Sequence, residues 1–213
     1  KRIIYHWAGE MAGGMAEYSQ LPSGNPGNIV ALDNIADWNR YCYYVAGTVG
    51  HMMTELFVSY YDLGEPISSE LKRFDNSFGL GLQKVNVIKD VPIDRLRGVC
   101  YLPLEIITQN GLKPDFSSIS EDDLSAAALI DELSANTISH LDDAIRYSES
   151  IPIKYKGIRM FLIVPLFLAV ETLGLVRKHP EQTLTGPPVK ISRIDVVRLV
   201  NAANRASTSN ETL

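Results

Sequence analysis

The stretch LGLQKVNVIKDVPID at residues 80–94 decides the fold. Gln83, Asn86, Asp90 and Asp94 stand three and four residues apart, so on a helix their side chains share one face. Apolar residues fill the other side, which makes 80–94 a helix with a polar stripe where a core helix would be apolar throughout.

The same three- and four-residue recurrence of apolar side chains runs through 3–18, 37–61, 68–91, 121–149, 155–178 and 192–204. Alternating runs bounded by hairpin turns are missing, so the fold class is all-α. LPSGNPGN at 21–28, LGEP at 63–66, NGLKPD at 110–115 and TGPP at 185–188 punctuate the helices, and none is long enough to separate a second domain. In SISEDDL at 118–124, Ser120 precedes acidic residues and reads as a helix N-cap. There is no internal repeat, and the tail after Ser192 fades into small polar residues that are expected to fray.

At 213 residues and 46% hydrophobic content the chain can bury a substantial core. A net charge of −5 leaves no electrostatic footprint for nucleic acid or for an anionic lipid surface. Cys42 and Cys100 have no paired spacing for zinc or a disulfide framework, which fits a reducing cytoplasm. The most apolar stretch, Met160 to Val176, is interrupted by Pro165 and Glu171 and reads as a core helix that falls short of a membrane span. An amphipathic pattern is already under way at Ile3, Ile4 and Trp7, with no initiator Met or signal peptide ahead of it, so the chain reads as cut at its N-terminus.

Two carboxylates one helical turn apart repel each other until a divalent cation reverses the sign. Mg²⁺ prefers one or two carboxylates completed by water and phosphate oxygens, so Asp90, Asp94 and Asn86 form a candidate anchor for a metal-bridged diphosphate. A second pair with the same spacing, Asp33 and Asp37, follows a Pro/Gly/Asn loop. Asp33 is read there as the cap of the next helix, with Asp37 in its first turn. Lys89 and Arg97 are the nearest cations to Asp90 and Asp94, suited to diphosphate oxygens. His51 and His140 lack ligand spacing and are read as structural. Tyr43 and Tyr44 sit at helical spacing, which favours packing.

YCYYVAGTVG at 41–50, LGLQKVNVIKDVPID and RGVCYLP at 97–103, in that order, resemble the squalene and phytoene synthase family. EMAGGMAEY at 10–18, DWNRYC at 37–42, FLIVP at 161–165 and PVKIS at 188–192 extend the resemblance over nearly the whole chain; the first and the last two lean toward squalene synthases. The resemblance implies a single isoprenoid-synthase-type helical bundle around a central cavity, with two aspartate-rich motifs facing each other. Asp90 and Asp94 match the second motif. The first is expected upstream of Lys1, leaving one wall of the metal site here.

By the same resemblance, Asp90, Asp94 and Asn86 bind Mg²⁺ with the substrate diphosphate, Gln83 supports that cluster, and Lys89 and Arg97 hold phosphate oxygens. Tyr41 helps remove the proton that closes a cyclopropyl intermediate, Phe161 lines the pocket of the second carbocation, and Tyr44 and Gly47 border the prenyl chain. Three departures stand out. Ile93 replaces an acid, Val99 replaces an arginine for which Arg95 or Arg97 would compensate, and Pro92 should kink or end the helix between the aspartates.

The implied activity is condensation of two farnesyl diphosphates through presqualene diphosphate, followed by NADPH reduction to squalene. Phytoene or dehydrosqualene synthesis without hydride is the nearest rival, and a non-catalytic prenyl-binding subunit is a further one. Since no Gly-rich dinucleotide loop follows a strand, NADPH rests on the resemblance alone. The expected partner is farnesyl diphosphate or a related prenyl diphosphate, with room for peripheral membrane association during product release.

Overall fold

The computed structural model describes residues 1–19, 29–119 and 124–210. Helix α1 (Arg2–Ser19) is followed by the short strand β1 (Val30–Leu32) and by α2 (Ile35–Cys42). A π-helical turn, Tyr43–Gly47, joins α2 to α3 (Thr48–Tyr61). The long α4 (Ile67–Leu96) leads into strand β2 (Val99–Pro103) and α5 (Leu104–Gln109). Helices α6 (Leu124–Ser150), α7 (Lys156–Lys178), α8 (Pro180–Thr185) and α9 (Arg193–Ala206) complete the bundle. The candidate cap Ser120 lies outside the described residues.

Helix α4 is the axis of the fold, packed against α3, α6, α7, α8 and the π-helical turn. Leu71, Ile88 and Val91 on α4 meet a core with Leu129, Ile130 and Leu133 of α6 and Leu162 and Leu166 of α7, all essentially removed from solvent. Burying each such side chain contributes about 1.5–3 kcal/mol. Close approach of α4 to the π-helical turn and α3 depends on glycines. A Cβ on Gly79 would collide with the Ala46 carbonyl, and one on Gly50 with the Asp75 carbonyl.

The bundle carries a two-stranded parallel ribbon that the sequence pattern does not announce, with Val30 opposite Val99 and Ala31 opposite Cys100. Runs of three and five residues are too short to display alternation, and their partners lie far apart in sequence. Past the end of β1, the Asp33 carbonyl accepts the Glu105 N–H of α5 at 3.1 Å. Asn34, not Asp33, caps α2, its side-chain oxygen accepting the Asp37 N–H at 3.0 Å. Asp37 occupies the first turn as expected.

Pro92 does not end α4, which continues to Leu96. Proline removes one N–H bond near the helix end, while buried Val87, Ile88 and Val91 hold the preceding turn in the core. Asp90 and Asp94 therefore remain on one helix.

Helix α7 is longer than its most apolar stretch. With 23 residues and a mean hydropathy of 1.9 in its best window, it is long and apolar enough to cross a membrane, in spite of Pro165 and Glu171. In the fold it packs against α4, α6, α8 and α9, burying Ile158, Leu162, Ile163, Leu166 and Val176. Its fully buried Arg159 donates to the carbonyls of Ser148 and Ile151 at the end of α6 and of Ala206 and Ser207 at the end of α9. Helix C-termini present unpaired carbonyls and partial negative charge, and a guanidinium with five N–H donors satisfies both.

Candidate active site

The polar stripe of α4 opens into a cleft of about 360 Å³. Gln83, Asn86, Asp90 and Asp94 form its floor, Arg97 closes one end just past the helix, and Tyr41 of α2 with Tyr101 of β2 form a wall. Six residues expected at a site from the sequence thus converge: Tyr41, Gln83, Asn86, Asp90, Asp94 and Arg97.

The two carboxylates differ in setting. The Asp94 side chain is 14% exposed and that of Asp90 41%. Burial, then the charge of Asp90, pushes the Asp94 carboxyl up to about 6, with Arg97 and Lys89 opposing the shift. Lys89 pairs with Asp90 at 2.6 Å from outside the cleft lining, and Arg97 stands 3.7 Å from Asp94. Two crowded carboxylates and the Asn86 amide form a hard oxygen set that fits Mg²⁺. Among the described residues no three His, Cys, Asp or Glu side chains gather to hold a metal ion. Remaining ligands for an ion on Asp90 and Asp94 must therefore come from water, phosphate or residues beyond this group.

Of the two arginines that could stand in for the cation absent at Val99, only Arg97 faces the cleft. Arg95 donates to the carbonyls of Leu184 and Asp115 and lies over the Phe116 ring, 5.4 Å from its centroid. The decoy pair sits apart: Asp33 and Asp37 line a separate 220 Å³ cleft with Glu17, Tyr18 and Arg40.

An apolar cavity of about 200 Å³ opens between the π-helical turn, α3, α4 and α7, lined by Ala46, Met53, Phe78, Leu82, Phe161 and Pro165 among others. Phe161 is 57% exposed and meets Phe57 edge-on at 6.4 Å, so it is a lining residue of this cavity and not a core residue. Gly47 and Tyr44 line neither cavity. Gly47 faces Asn76 and Leu80 of α4, and the Tyr44 ring covers Gly14 of α1 beneath Arg40. Both residues take part in helix packing in this fold.

His51 and His140 have structural partners, as expected: Nδ1 of His51 lies 2.9 Å from Asp75, and Nδ1 of His140 lies 3.2 Å from the Ser77 hydroxyl. Tyr101 is the residue that the sequence reading passed over. Its ring stacks on Tyr41 with centroids 4.4 Å apart and planes 9° from parallel. RGVCYLP contains it, but only the pairing of β2 with β1 brings it to the cleft.

A sequence model of squalene/phytoene synthases matches residues 1–195 of this chain. The chain belongs to the squalene/phytoene synthase family. It is 32% identical over 202 residues to the squalene synthase of Schizosaccharomyces pombe, covering 94% of this chain and 42% of that protein. The chain thus spans less than half the length of that relative. The complex of TcSQS with the ligand E5700 superposes with a TM-score of 0.77 at 25% identity, covering 97% of this chain and 58% of that one. A dehydrosqualene synthase in complex with ligand shares the fold at a TM-score of 0.71 and 23% identity, covering 92% and 62%. The family fold is the all-α isoprenoid-synthase bundle expected from the sequence.

Proposed function

We propose that this squalene/phytoene synthase family member is a Mg²⁺-dependent prenyltransferase that joins two farnesyl diphosphates head to head through presqualene diphosphate and reduces the product to squalene with NADPH. One observation carries the reading: a single helix, α4, lines both a carboxylate cleft and an apolar cavity. From Leu82 in the cavity to Asp90 in the cleft is about 12 Å along the helix axis, a reach suited to a ligand with a charged head and a long apolar tail.

Asp90, Asp94 and Asn86 would hold Mg²⁺, which when bound neutralises charge on the leaving diphosphate. Gln83 supports that cluster from the preceding turn. Arg97, with Lys89 released from Asp90, supplies donors for phosphate oxygens. Tyr41 stands at the cleft wall, where a phenol can relay the proton lost on ring closure. Phe161 presents an aromatic face at the apolar cavity, suited to stabilising a carbocation. Identity to squalene synthases supports hydride reduction as the last step. Buried, unpaired Cys42 and Cys100 support a reducing cytoplasmic setting, with peripheral membrane association to release an apolar product.

The test incubates the protein with farnesyl diphosphate and Mg²⁺, with and without NADPH, and identifies the hydrocarbon. Squalene formed only with NADPH supports the proposal. Dehydrosqualene or phytoene in both arms moves the protein to the hydride-free branch, and no turnover leaves a prenyl-binding subunit. Unchanged turnover in Asp90→Asn and Asp94→Asn would sink the site assignment.

A further inference from the structure

Helices α6 and α7 pack side by side, and an ion pair of Arg177 with Asp131 at 3.0 Å sets the end of α7 beside the first turns of α6. Between them runs an open groove of about 330 Å³ that shares no lining residue with the cleft or the apolar cavity. Leu141 and Leu173, both buried, form its floor, and Ile138, Ile145 and Val170 form its rims. Ile138 is 38% exposed and Val170 49%, so among the described residues nothing covers this apolar face.

Charge sits at the ends of the groove. Asp142 follows Asp131 by eleven residues on α6, about 16 Å along the helix axis. Because Asp131 marks the place of Arg177, the groove carries a cation at one end and an anion at the other. Ile138, seven residues after Asp131, and Val170, seven before Arg177, lie near the middle. Asp142 has no ion-pair partner among the described residues. Arg177 reaches Asp131 through Nε, which leaves its two terminal amino groups for a further carboxylate.

A groove with opposite charges at its ends and apolar residues in its middle is complementary to itself after half a turn. About a two-fold axis through the middle, Asp142 of each copy meets Arg177 of the other, while Ile138 and Val170 meet their own counterparts. A lipid surface fits less well, since it would meet the carboxylates of Asp131 and Asp142 and gains nothing from a net charge of −5. We propose that a second copy of this chain occupies the groove, forming a two-fold dimer in which α6 and α7 pack against the same two helices of the other copy. The contact is independent of the reaction proposed above.

The apolar centre is small beside a standard interface, so sedimentation across a concentration series should show a monomer–dimer equilibrium in the micromolar range. Val170→Glu places like charges at the axis and should weaken association by about 30-fold or more. Asp142→Lys and Arg177→Glu each set like charges opposite one another, and each should weaken it by about 10-fold or more. Mixed in equal amounts, these two variants bring opposite charges together at both ends and should associate within about threefold of wild type. All three positions are exposed, and thermal melting checks the folding of each variant. A wild type that stays monomeric into the millimolar range would overturn the proposal, and its flotation with phosphatidylcholine vesicles, lost in Val170→Glu, would assign the face to lipid instead. Dimers that survive Val170→Glu would place the contact on another face and overturn it as well. So would a mixture of Asp142→Lys and Arg177→Glu that associates no better than either variant alone, because two-fold pairing restores both ends.

Discussion

Nδ1 of His51 on α3 lies 2.9 Å from Oδ1 of Asp75 on α4, and the Asp75 side chain is only 4% exposed. The Trp7 ring stacks on His51 at 4.8 Å and shields the pair from the other side. A carboxylate this deep needs its partner, because removing one member strands the other in a low-dielectric setting. His51→Leu should therefore destabilise the fold by about 3 kcal/mol in denaturant titrations. The double change His51→Leu with Asp75→Leu should recover part of that loss. Additivity of the two single changes would show that the pair is not coupled.

Lys84 gives a pH signature. Its amine is fully buried, donates to the Asn136 side chain and sits 4.6 Å over the Trp38 ring, with no carboxylate paired to it among the described residues. Burial lowers it to about 8, against about 10.4 for a free lysine. Between those values the unfolded chain binds more protons than the folded one, so this contribution to stability rises with pH across that window. Below pH 8 the protonated amine costs about 3 kcal/mol. Lys84→Met should be more stable than wild type at pH 7, and the gap should close toward pH 10. A pH-independent gap in chemical denaturation would rule this out.

Asp94 behaves in the opposite sense. Its carboxyl is raised to about 6, so without metal the folded protein holds the proton more tightly than the unfolded chain between about pH 4 and 6. Stability from this group is present below about pH 4 and lost as pH rises through 6. Asp94→Asn should thus raise the unfolding free energy at pH 7.5 in chelator by about 1–2 kcal/mol after allowance for partial solvation. It should also abolish stabilisation by added Mg²⁺. A variant less stable than wild type in chelator would contradict the crowding of Asp90 and Asp94.

Two glycines separate packing need from helix propensity. Gly79→Ala drives a methyl into the Ala46 carbonyl at the wall of the apolar cavity, and should cost about 3 kcal/mol or more with loss of turnover. Gly174→Ala, in α7 with open space around its Cβ, should instead gain up to about 1 kcal/mol. Similar melting shifts in the two variants would count against the close approach of α4 to the π-helical turn.

Much of the cleft could be read from one helix, because Gln83, Asn86, Asp90 and Asp94 share a face that depends only on local spacing. Pro92 misled for a nonlocal reason: its local preference is overruled by the burial of Val87, Ile88 and Val91. Tyr101 was invisible because its place depends on pairing between strands separated by α2, α3 and α4. Tyr44 and Gly47 sit in a motif that marks the helix, but which side of it meets α1 or α4 depends on tertiary packing around the π-helical turn. Asp33 lost the capping role to Asn34, the adjacent residue, because α2 starts only at Ile35 and loop composition does not fix that boundary to one residue.

Arg159 ties the end of α6 to the end of α9. Its guanidinium binds both to the end of α6 and to the end of α9, reaching as far as the Asn210 side chain at 2.7 Å. Neither helix end can release it without stranding a buried cation, so opening events there should be coupled in amide exchange. The clasp is as good as its weaker hinge, and trimming the chain back past Ala206 should loosen α6 and the Phe161 wall together.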